Sequence, residues 1–112
     1  MASNDFDIPT GLSRKGRNTA LAIIEVLKAH GSLFAGGCTT FYTPKEWKSR
    51  GEKYGLNSEL IVVYDGGSLY DFMSYDSTAY GLQEKMLKAL ESIGVYHEPC
   101  TCWYSAIYSD KP

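Results

Sequence analysis

No apolar run in this sequence approaches the roughly 20 residues that a membrane-spanning helix requires, so no membrane contact is expected. A broad basic face is also missing. The only basic cluster is Arg14, Lys15 and Arg17, and the formal net charge is −2. Non-specific nucleic-acid binders carry a clustered excess of Lys and Arg, so direct nucleic-acid binding is not expected. Cysteine is scarce and odd in number, with Cys38, Cys100 and Cys102 unevenly spaced. That arrangement is not the disulfide framework of a secreted domain. Residues 1–7 are acidic and lack the charged-then-apolar layout of a secretory leader. Together these absences lead us to expect a soluble protein of a reducing cytoplasm.

What remains is an ordinary globular composition with one excess. Of 112 residues, 44% are hydrophobic and 21% charged, close to the average for a globular domain, while nine are tyrosine. Tyrosine joins an apolar ring to a polar tip and suits a half-buried surface or an interface. Residues 1–11 read as a flexible lead-in, and residues 12–112 as a single α+β domain.

Three helices stand out. Ser13 is a natural N-cap for the first, in which Leu21, Ile24 and Leu27, with Ala20 and Ile23, form an apolar stripe at helical spacing, stopped at Gly31. Arg14, Lys15 and Arg17 sit at its N-terminus, the unfavourable end of the macrodipole, which hints that they serve a partner. Thr43-Pro44-Lys45-Glu46 is a capping box with proline at the first helical position. That second helix should run to Gly55, with Trp47 and Tyr54 on one face. The third, capped by Asp76, Ser77 or Thr78, aligns Leu82, Met86, Leu90 and Ile93.

The strands are read by composition and alternation. Glu59 to Tyr64 is apolar on both sides, as expected of a central strand covered on both faces. A short strand ending at Tyr42 should enter through Gly36-Gly37. Residues 95–99 read as a strand that must either lie at an edge or stop at Pro99, followed by a last strand over residues 102–108. Residues 68–75 read as a short strand or as a packed loop carrying Leu69, Phe72 and Met73 inward. The expected architecture is a mixed, mainly antiparallel sheet of about four strands with three helices packed on it.

Four constellations could carry chemistry. Asp65, Asp71 and Asp76 surround the turn after the central strand, where carboxylates can hold a metal or act as a base. Asp-Gly is also a plain turn dipeptide. Cys38, His97, Cys100 and Cys102 offer zinc-ligand chemistry or a Cys/His pair, although cysteine packs equally well as a small hydrophobe. Gly36-Gly37 and Gly66-Gly67 lack the lysine and following helix of a phosphate loop and read as turns. Tyr64, Tyr70, Tyr75, Tyr80, Tyr96, Trp103, Tyr104 and Tyr108 could supply an aromatic binding surface.

Thr43-Pro-Lys-Glu-Trp-Lys-Ser-Arg-Gly-Glu-Lys-Tyr-Gly55, Val62-Val-Tyr-Asp-Gly-Gly67 and Cys100-Thr-Cys-Trp-Tyr-Ser-Ala-Ile-Tyr108, in that order, resemble small phage and prophage proteins. The family has no established activity to transfer, and it has serine where this chain has Cys102. The resemblance implies a phage-type binding protein that disables a host antiviral defence complex, CRISPR–Cas or another, by protein–protein contact. On that reading the surface comprises Asp65, Tyr70, Asp71, Tyr75, Asp76, Trp103 and Tyr104, with no catalytic residue, cofactor or metal. The partner is a host protein, and self-association is a further expectation. The rival reading is a small hydrolase or nucleotide- or metal-binding protein using Asp65 and the Cys38, His97, Cys100 and Cys102 cluster.

Overall fold

The computed structural model describes residues 8–30, 40–64, 69–74, 78–101 and 103–109. The order of elements is α1 (Arg14–Ala29), β1 (Phe41–Tyr42), α2 (Pro44–Ser49), β2 (Leu60–Val63), α3 (Tyr70–Met73), α4 (Tyr80–Glu91), β3 (Val95–Pro99) and β4 (Tyr104–Ser109). The fold is α+β. Among the described residues four strands form one sheet in the order β1-β2-β4-β3, and its three pairings are antiparallel. As its unbroken apolar sequence demands, β2 lies inside the sheet with all four residues buried. The proline-bearing strand, β3, lies at an edge.

Alternation along the strands divides the side chains between two cores. On one face Leu60, Val62, Tyr64, Val95 and Ile107 meet Ala20, Ile23 and Leu27 of α1. Phe72 and Met73 of α3 and Met86 and Leu90 of α4 complete that larger core. On the opposite face Ile61, Val63, Tyr104 and Ala106 pack against Trp47 of α2.

Local chemistry sets the helix starts. Ser13 Oγ accepts the Gly16 amide at 3.0 Å and donates to the Glu59 carboxylate, joining the cap of α1 to the residue before β2. Lys15 reaches across to Ser109 Oγ at 2.7 Å and the Gly94 carbonyl at 3.5 Å. This basic residue, out of place by the macrodipole alone, is half-buried and tied to the end of β4, while Arg14 and Arg17 stay exposed. The α2 capping box closes both ways: Thr43 N–H to Glu46 Oε1 at 2.8 Å, and Glu46 N–H to Thr43 Oγ1 at 3.0 Å.

Four details depart from the sequence reading. Leu21 is 45% exposed, because the buried face of α1 follows Gly16, Ala20, Ile23 and Leu27. Helix α2 stops at Ser49, with Gly51 in the left-handed region at φ 88°. Glycine adopts that conformation without a Cβ penalty, and Tyr54 consequently leaves the Trp47 face. Residues 70–73 form a fourth helix, since Leu69, Phe72 and Met73 recur at helical spacing and all three are buried. The N-cap of α4 is Ala79, which makes no side-chain cap. Its first turn is held instead by Gln83 Nε2, which donates to the Ser74 carbonyl at 2.9 Å. Gly31, Gly36-Gly37, Gly66-Gly67, Asp76 and Ser77 lie outside the described residues.

Gly16 yields a prediction whose sign is unusual. A helical glycine replaced by alanine ordinarily gains about 0.5–1 kcal/mol. A Cβ on Gly16 would instead fall on the Glu59 carbonyl oxygen, 3.2 Å from its carbon. Gly16→Ala should therefore destabilise by about 1–3 kcal/mol through overpacking. Gly81, in α4, has nothing within 4 Å of its hypothetical Cβ, so Gly81→Ala should stabilise by up to about 1 kcal/mol. Urea unfolding midpoints of the two variants should move in opposite directions.

Candidate partner-binding surface

The smaller core is an aromatic stack. The Trp47 ring lies 5.0 Å from Tyr42, 4.8 Å from Tyr104 and 5.8 Å from Trp103, centroid to centroid. Arg50, on the turn that ends α2, covers this stack with its guanidinium 4.6 Å from the Trp47 ring and 5.1 Å from Tyr42. A cation over aromatic faces is attracted by their quadrupoles. Tyr104 is buried, and burial raises its pKa above the ordinary tyrosine value. The Trp47 Nε1–H acts in the opposite direction from near the Tyr104 oxygen, in a position short of a formed hydrogen bond.

Beside this stack the same sheet face opens into a groove of about 550 Å³. Its floor is lined by Glu98 of β3, Tyr108 of β4 and Cys100 just beyond β3, and its wall is the loop that follows α2, carrying Lys53 and Tyr54. Gly55 lets this loop approach the sheet. It has φ 82°, and a Cβ there would stand 2.9 Å from Ile61 Cδ1 and 3.0 Å from Ala106 Cβ. Tyr96 pairs across the strands with Tyr108, their rings 5.7 Å apart. Tyr54 and Tyr96 are 61% and 45% exposed.

Burial raises the pKa of Tyr108, with further contributions from Cys100 and from the Glu98 charge. Burial and then Glu98 also raise the Cys100 pKa, against a backbone hydrogen bond at Ala106 that lowers it. Its Sγ–H donates weakly to the Glu98 carbonyl at 3.6 Å. A thiol held above its usual pKa stays protonated at neutral pH, the opposite of an activated nucleophile.

The residues singled out from the sequence do not form one described surface. Tyr70 is half-buried against the larger core, its ring 6.4 Å from that of Tyr64, and Asp71 beside it is exposed. Trp103 is half-buried and Tyr104 buried in the smaller core, across the sheet from Tyr70. Tyr104 therefore presents almost no area to a partner. Asp65, Tyr75 and Asp76 lie outside the described residues, as do Cys38 and Cys102.

His97 and Cys100 belong to opposite faces. His97 is buried on the side of the larger core, with Nδ1 3.2 Å from Ser105 Oγ, while Cys100 packs with the smaller core. Among the described residues no three His, Cys, Asp or Glu side chains are grouped to hold a metal ion.

The groove tyrosines are less legible in the sequence. Alternation on β3 puts Tyr96 and Glu98 on one face opposite Tyr108, but only the strand register shows which face is open. For Tyr54 the usable signal is Gly51 as the helix stop. No family model, curated protein or solved structure matches this chain.

Proposed function

We propose that this chain is a binding protein that docks on a partner protein through the tyrosine-bearing face around the groove. Following the resemblance of its three motifs to small phage proteins, the partner is a subunit of a host antiviral defence complex, whose activity the chain inhibits. The observation that supports this reading is the exposure of Tyr54 and Tyr96 beside Tyr108 on an open, concave sheet face. Tyrosine supplies a large contact area with few rotatable bonds and dominates many interface hot spots.

The test is affinity capture of the chain from host cells with mass-spectrometric identification of partners, followed by reconstitution of the captured complex. A defence-complex subunit should be enriched, and adding the chain should reduce that complex's activity. In the reconstituted system Tyr54→Ala with Tyr96→Ala should weaken binding about 30-fold, the equivalent of about 2 kcal/mol for a hot spot. Tyr70→Ala with Tyr75→Ala, run alongside, tests the surface read from the sequence. Enrichment of no host defence protein would overturn the reading.

A further inference from the structure

We infer that the groove beside β3 and β4 receives an arginine side chain from the partner protein, an inference that rests on the protein-binding reading above. Three observations converge on a cation. The groove has aromatic sides, Tyr54 on the loop and Tyr108 on the sheet, with Tyr96 stacked next to Tyr108. Glu98 lines the same groove and is exposed, and its charge acts on both Cys100 and Tyr108. Among the described residues the ion pair is Lys28–Glu25, and no cation lies over Tyr54, Tyr96 or Tyr108.

Arginine fits this combination better than other side chains. Its planar guanidinium stacks on phenol faces and presents a fork of donors to a carboxylate. Stacking alone contributes a factor of about 2 to 30 in affinity, depending on desolvation. The molecule already uses the same pairing a short distance along this face, where Arg50 covers Tyr42 and Trp47. An anionic group would instead meet the Glu98 carboxylate and the negative faces of the rings. Lys53 lines the groove as well, and its charge opposes an incoming cation, which makes it a discriminating position.

The experiment is an amide NMR titration of the full chain with the peptide Ac-Gly-Arg-Gly-NH2, with Ac-Gly-Glu-Gly-NH2 as the charge-reversed control. The arginine peptide should give saturable shifts confined to residues 53–57, 96–100 and 108, with a Kd on the order of 1 mM for one side chain. Glu98→Gln should weaken it about 5- to 10-fold, as loss of a charge-assisted hydrogen bond implies, and Lys53→Ala should tighten it. Both positions are exposed, so neither variant should disturb folding, which the unchanged remainder of the spectrum would verify. Absence of saturable shifts in the groove, equal binding of the glutamate peptide, or weaker binding in Lys53→Ala would each overturn the inference. The titration needs no host partner, so it can succeed where capture fails. Conversely, a captured partner indifferent to Glu98→Gln would remove the arginine and leave the protein-binding reading standing.

Discussion

Trp47→Ala should destabilise the protein by about 3–5 kcal/mol, the range for truncating a fully buried aromatic. Trp47 is the side chain by which α2 covers its face of the sheet, and it is 0% exposed. Removing it would leave Tyr42, Trp103, Tyr104 and Arg50 without the ring on which each packs. Trp47→Phe should cost far less. It keeps a ring in the stack and removes a buried Nε1–H that forms no hydrogen bond, a group whose desolvation costs about 1–3 kcal/mol. Urea unfolding of the two variants checks the ordering. A Trp47→Ala loss below about 1 kcal/mol would mean that the smaller core adds little to stability, against the usual cost of a core cavity.

Acid should destabilise the fold through His97. Burial lowers its pKa from 6.5 to about 4. Its imidazole lies in a chain in which Ser105 Oγ is 3.2 Å from Nδ1 and 2.9 Å from the Tyr64 hydroxyl. The unfolded state takes up this proton near pH 6.5 and the native state only near pH 4. Between those values the unfolded chain binds more protons, so stability falls as pH falls. The contribution is fully present above pH 6.5 and is lost by about pH 4, amounting to about 3 kcal/mol from the separation of the two values. His97→Asn can keep a hydrogen bond to Ser105 and has no proton to gain. Urea midpoints at about pH 7.5 and 4.5 should therefore differ by less in His97→Asn than in the parent chain. Equal differences would place the acid sensitivity elsewhere.

Features set by near neighbours in the chain are legible in the amino-acid sequence alone. The Thr43–Glu46 capping box and the Ser13 cap each depend on a few bonds within one turn, and the missing N–H of Pro99 leaves a strand there only an edge or an end. The apolar run of β2 belongs in the sheet interior because no polar residue interrupts it. The α3 helix is not legible in the same way, because a four-residue segment offers barely one period. A strand, a loop and a helical turn then compete on almost equal terms. The length of α2 is ambiguous because Gly51 and Gly55 are both legitimate stops, and Trp47 with Tyr54 fits a helical face equally well in letters.

The candidate surface is less legible than the fold. Sequence distance says nothing about which face of the sheet a tyrosine occupies, and Tyr70 and Tyr104 lie in different cores. Exposure also depends on coverage: Tyr104 and Tyr108 share a strand face, but Trp47 sits on the first, whereas the second packs beside Tyr96 and borders the open groove.

The sequence by itself determined the caps of α1 and α2, the central strand and the α+β class, because these follow from hydrogen bonding and periodicity over short spans. Only the tertiary structure decided which tyrosines face outward, that His97 and Cys100 lie on opposite faces, and that Lys15 is tied to Ser109. Those outcomes depend on register and on helix packing between residues far apart in the chain. Side chains such as these acquire their surroundings only when the sheet closes.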